Sequence, residues 1–164
     1  MTCYDRLAHQ LATTASGSWG EEAALWLLAE HGHWLPELHR VGLIMDGPDH
    51  DQARINWPGT ESSQDDFIGT NSEHQVLSIA RALVHQNFRV GLNPSELDEE
   101  NRLLVLHAIA WAAGGRAWAK SLGLLRGLRC GTCDRSLKSW SGKDVMAHTR
   151  LHRPDIEDAT RESV

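Results

Sequence analysis

The stretch "EHQVLSIARALVHQ", residues 73–86, decides the fold class. Its apolar residues Val76, Ile79, Ala80 and Leu83 fall at i, i+3, i+4 and i+7, the spacing of one helix face. Helix signals recur on both sides. Upstream, residues 2 to about 15 predict a helix, with Thr2 and Asp5 as a capping box and Tyr4, Leu7, Ala8 and Leu11 on one face. "TTASGS" (13–18) interrupts it, and a second capping box, Ser18 with Glu21, opens a helix through "WGEEAALWLLAEHG". Leu25, Trp26 and Leu28 supply its apolar bulk, Gly32 its stop, and the two helices are expected to pair.

After "WLPELHR" (34–40), the runs "VGLIM" (41–45) and "ARINW" (53–57) flank the turn-rich "DGPDHDQ", which predicts a β-hairpin. Residues 58–72 read as a connecting loop. Downstream, "FRVGL" (88–92) predicts a short strand, and "NPSELDEENRLLVLHAIAWAAGG" (93–115) a long helix. That helix has Asn93, Ser95 or Asp98 as N-cap, acids in its first turn and Gly114-Gly115 as its stop. A further amphipathic stretch runs from Trp118 to about Leu128. His107, inside the most apolar run, is expected to be a hydrogen-bonded core residue.

A chain of 164 residues with 41% hydrophobic content suits one ordinary core plus a small appendage. Leu103–Ala113, its longest apolar run, falls far below membrane-spanning length, so no membrane partner is expected. The opening "MTCYDRLAHQL" has no secretory pattern, and a cytoplasmic location is the expectation. Only three lysines occur beside plentiful Ala, Gly, Trp and His, a bias that suggests a GC-rich bacterial or phage genome.

The net charge of -6 conceals opposite blocks. Residues 1–115 carry 6 basic and 16 acidic side chains, residues 116–153 carry 9 and 2, and residues 154–164 carry 1 and 4. A basic module attached to an acidic body, followed by a disordered acidic tail, is the organisation this predicts. Such a body could engage a protein partner, and such a module nucleic acid.

The module is "CGTCDRSLKSWSGKDVMAHTRLH", residues 130–152. Cys130 and Cys133 stand in a C-x2-C turn, 14 residues follow, and His148 and His152 lie four apart on one helix face. Two thiolates and two neutral imidazoles make a closed tetrahedral set for structural zinc. So small a module buries too little apolar area to fold alone, whereas zinc contributes on the order of 10 kcal/mol.

This segment, Leu128 to about Arg153, resembles a zinc finger of the two-cysteine, two-histidine family. Leu137, Trp140 and Val145 stand as its small apolar core, and Ser141 with Asp144 as a capping box at the helix start. It departs from the family in its 14-residue gap and in Leu137, where an aromatic is usual. The resemblance aims Ser141, Lys143, Asp144 and Ala147 at bases, and none is an arginine. It therefore implies attraction to phosphates, with Arg129, Arg135, Lys138, Lys143, Arg150 and Arg153 as the nucleic-acid contacts. Trp118 and Trp140 offer stacking surfaces.

Other residues draw blander readings. Asp46, Asp49, His50 and Asp51 share one loop, but Asp, Gly and Pro are what polar turns use. His31, His33 and His39 gather near a helix end, where the dipole favours them. Cys3 reads as an unpaired thiol packed on a helix. "KDVMAHTRLHRP" is faintly similar to an HNH-type nuclease motif, but with His148 and His152 both on zinc no base remains for hydrolysis. There is no glycine-rich phosphate loop and no GxSxG.

The expectation is an α+β chain: a mostly helical body with a small antiparallel hairpin over residues 1–127, a zinc-finger-like ββα or knuckle-helix module over 128–153, and a tail over 154–164. The expected function is that of a zinc-stabilised accessory or regulatory protein that binds nucleic acid weakly. A protein-interaction adaptor with purely structural zinc is the alternative.

Overall fold

The computed structural model describes residues 3–15, 17–47, 52–86 and 93–124, the side chains of 3–5 and 94 excepted. These residues form a mostly helical α+β body: α1 Cys3–Thr14, α2 Trp19–His31, α3 Trp34–Arg40, β1 Ile44–Asp46, β2 Ala53–Ile55, α4 Trp57–Ser62, α5 Asn71–His85 and α6 Glu99–Ser121. Helix α2 is the hub. It packs on α6 and α5, which also touch each other, while α1 lies against both α2 and β2.

The hub position follows from composition. Ala23, Ala24, Leu27 and Leu28 of α2 are fully buried, so small and large side chains alternate around it and let two helices approach. Its ends are set as capping rules require. Ser18 accepts the Glu21 N–H at 3.4 Å, and Gly32 closes the helix in the left-handed region at φ 80°, donating its N–H to Leu28 O. The reciprocal carboxylate contact is made by Glu22, which accepts the Gly17 N–H at 3.0 Å. The stripe read in α5 is the buried face: Val76, Ile79, Ala80 and Leu83 are each at most 2% exposed.

The hairpin forms as expected, with Ile44 opposite Ile55, Met45 opposite Arg54 and Asp46 opposite Ala53. One expectation needs correction, and one unassigned segment proves helical. Residues 34–40, read without assignment, form α3, because Pro36 sits in the first turn, where its missing N–H costs nothing. The supposed loop over 58–72 contains most of α4, a 3-10 turn at Gln64–Asp66 and the start of α5. Asn56 caps α4 by accepting the Gly59 N–H at 3.1 Å, and Thr70 caps α5 in a full capping box with Glu73.

Gly114-Gly115 interrupts α6 as read: the first helical run stops there and a second follows across a kink. Gly115 takes φ 83° and ψ 166°, and the helix resumes to Ser121. At the other end Asp98 proves to be the N-cap, accepting the Asn101 N–H at 2.8 Å. The strand expected over 88–92, the Thr2–Asp5 capping box and the whole of 125–164 lie outside the described residues. Among the described residues no helix is long and apolar enough to cross a membrane.

Candidate functional site

Two places in the body gather side chains with chemical potential, and the first lies where α3 meets the segment ahead of α5. Glu37 is buried on α3, and Arg40, one turn on, grips it with two bonds of 2.7 and 2.9 Å. Glu37 also accepts the Ile68 N–H at 2.8 Å. Chiefly through the Arg40 bonds, with help from the Ile68 N–H, its pKa falls to about 2, and the Arg40 pKa is raised in return. Arg40 reaches further, to Asp66 O at 2.8 Å.

His33 stands at the N-cap of α3 but makes no cap bond. Its Nε2 lies 2.7 Å from Ile68 O, so the proton on that nitrogen is donated to the carbonyl, and its Nδ1 lies 3.7 Å from Glu73 Oε1. Glu73 in turn accepts the Thr70 N–H, the main reason its pKa is lowered, with His33 and His31 adding to the effect. Trp34, fully buried, donates its indole N–H to Glu73 O at 2.9 Å and meets Phe67 edge-on.

The segment 66–70, from the end of the 3-10 turn to the cap of α5, is thus held at four backbone points by Arg40, Glu37, His33 and Glu73. Each carboxylate is already engaged by donors, so neither is poised as a general base. The cluster is a structural clamp. Beside it opens a polar cavity of about 320 Å³ lined by Gln64, Asp65, Asn71, His74, Gln75 and Glu96. Among the described residues no three His, Cys, Asp or Glu side chains are grouped to hold a metal ion.

The second place is the far half of α6. Gly114 and Gly115 permit a close approach of two indoles: a Cβ on Gly114 would stand 2.5 Å from Cε3 of Trp118, and one on Gly115 would stand 3.3 Å from Cζ2 of Trp19. Both indoles are about half-exposed, Trp19 at 53% and Trp118 at 47%. The Arg116 guanidinium stands over the ring of buried Trp111, 5.3 Å from its centroid. Lys120 is exposed one turn further on.

The sequence-derived site residues fall as follows. The four metal ligands Cys130, Cys133, His148 and His152 lie outside the described residues, as do the contacts Arg129, Arg135, Lys138, Lys143, Arg150 and Arg153. Of the polar loop, Asp46 ends β1 with its side chain exposed, and Asp49, His50 and Asp51 lie outside the described residues. His107 is buried, 4.7 Å from Trp26 ring to ring, and His31 closes α2, buried as well.

The dipole reading of the histidines fits His31 but misses His33, whose partners are Ile68 and Glu73. Sequence carried a signal for half of the clamp: Glu37 and Arg40 at i, i+3, and Thr70 with Glu73 as a T-x-x-E box. It carried none for the meeting of residues 33 and 73. Comparison with protein-family models, curated proteins and solved structures finds no match for this chain.

Proposed function

We propose that the chain is a small zinc-stabilised accessory protein that binds nucleic acid weakly through its basic segment, residues 116–153, and presents its acidic body to a protein partner. The observation that carries this reading is the spacing Cys130-x2-Cys133 and His148-x3-His152 within 23 residues of positive charge. The donor set fits zinc: two thiolates offset the ion's charge and two neutral imidazoles complete four-coordination. A bound zinc ion supplies folding free energy there, and four protein ligands leave no position for substrate.

The body supports the reading in a narrower way. The carboxylates of the clamp, Glu37 and Glu73, are already bonded to backbone N–H groups, so that cluster offers no free base. The segment's start is described, and Arg116, Trp118 and Lys120 are all exposed there. Phosphate attraction predicts a linear fall of log affinity with log salt, with a slope of about 0.9 per phosphate neutralised on duplex DNA.

The test is elemental analysis of purified protein together with oligonucleotide binding across a salt series. The expected result is one zinc per chain and binding at low salt that falls steeply as salt rises, with charge reversal at Arg135, Lys138 and Arg150 lowering both the affinity and the salt slope. Zinc without retention on DNA at low salt would assign the chain to the adaptor class instead. Absence of zinc would remove the reading altogether.

A further inference from the structure

The far half of α6 does more than begin a basic segment. From the geometry of Trp118 and Trp19 we infer that the body itself carries a stacking platform for single-stranded nucleic acid, with unpaired bases lying on the Trp118 indole and phosphates drawn to Arg116 and Lys120. This rests on the nucleic-acid reading above and names the substrate form that reading leaves open.

Three observations point the same way. The first is the backing of the rings. Each indole lies against a glycine that has no side chain to hold it off, Trp118 on Gly114 and Trp19 on Gly115, and each stays about half-exposed. Among the exposed apolar side chains of α6, Leu106 stands alone, whereas Trp118 has a second apolar side chain one turn away and forms a patch that can receive a flat partner. Leu122, 46% exposed and one turn beyond Trp118, extends the apolar strip.

Charge then selects the occupant. Although the body is acidic as a whole, residues 101–133 contain five basic side chains and no Asp or Glu. The acids nearest in sequence to these rings are Glu21 and Glu22, beside Trp19, whereas the charged side chains nearest in sequence to Trp118 are the exposed Arg116 and Lys120. Flat aromatic faces beside cations are the combination that single-strand binders use, because every base offers a π-face and every nucleotide a phosphate.

The third step concerns form. In a duplex both faces of a base are already stacked on neighbours, so an indole can gain that contact only after the bases are pulled apart, at a cost of a few kcal/mol. A platform of this kind therefore favours single strands. Phosphate contacts alone show no such requirement, which separates this site from the basic module.

The experiment uses the full zinc-loaded chain and a fluorescein-labelled oligothymidine, with a duplex of equal length for comparison. Trp118→Ala is expected to weaken single-strand binding about tenfold while leaving duplex binding within about twofold, and Trp118→Phe to retain most of the affinity. Hydroxyl-radical footprinting of the unaltered protein, read by mass spectrometry, is expected to show Trp118 protected by the oligothymidine, which keeps the test valid should the Ala variant fold poorly. Unchanged single-strand binding by Trp118→Ala, or an unprotected Trp118, overturns the inference while leaving binding through the basic module standing. If the unaltered chain binds neither oligonucleotide at low salt, the parent reading fails and this one with it.

Discussion

Glu37 shows how a single side chain can tie a loop to a helix. Burial alone would push its carboxyl towards neutrality, yet two Arg40 bonds and the Ile68 N–H outweigh that and take its pKa from 4.5 to about 2. Because the folded-state value is the lower one, this pairing stabilises the protein above the unfolded value and is lost as pH falls through the folded one. Glu37→Gln is expected to cost about 1 kcal/mol at neutral pH, or roughly 3 °C in Tm for a chain of this size. The gap between the two melting curves should close as pH drops from about 5 towards about 2. A gap that stays constant over that window would show that ionisation of Glu37 contributes nothing. Half of this clamp was readable in sequence, since Glu37 and Arg40 share a helix face, but the bond from Glu37 to Ile68 spans 31 residues and depends on how α3 and α5 pack.

The glycine pair in α6 raises the question of what a helix does with a residue that favours no helix. Gly115 takes a left-handed φ of 83°, a region in which a Cβ is strained, and an added methyl group would also meet the Trp19 ring at 3.3 Å. Gly115→Ala is therefore expected to destabilise the body by about 1–3 kcal/mol, measured by urea or thermal unfolding. Gly114 has no positive φ, and the nearest obstacle to a Cβ there is the exposed Trp118 ring, which can swing away. Gly114→Ala should thus leave stability within about 1 kcal/mol, the helix propensity of alanine offsetting lost ring contact, while the tryptophan emission shifts as Trp118 becomes more solvated. Equal destabilisation by both variants would mean that backbone strain does not decide the difference. Composition announced the break at these glycines and an amphipathic stretch beyond it, but not that the second run would follow without a loop, which depends on whether the downstream turns find packing. Ala119, fully buried, provides that packing. The same limit explains α3 and α4: at seven and six residues they are too short to show a period, and capping by Asn56 and burial of Trp34 and Trp57 stabilise them.

At the scale of the whole chain, the core and the proposed metal module make separate demands on stability. The described core is built from α2, α5 and α6 around fully buried Leu27, Leu28, Val76 and Ala108, and its capped helices are satisfied by backbone and side-chain partners within the body. Its periodic pattern was the most legible part of the sequence, since apolar spacing reports burial directly. The zinc reading is legible for another reason: ligand spacing is a local property of the chain and needs no knowledge of the fold. If that reading is right, metal binding and folding of the C-terminal module are one equilibrium, and removing one thiolate forfeits most of about 10 kcal/mol. Cys133→Ser is then expected to open the chain to limited proteolysis only past about residue 128, with the helical signal and melting temperature of the body nearly unchanged. Chelation of the unaltered protein by a strong zinc ligand should reproduce the same cleavage pattern, and added zinc should reverse it. Uniform digestion of the variant from both ends would show instead that the body draws its stability from the module, and that the chain folds as one cooperative unit.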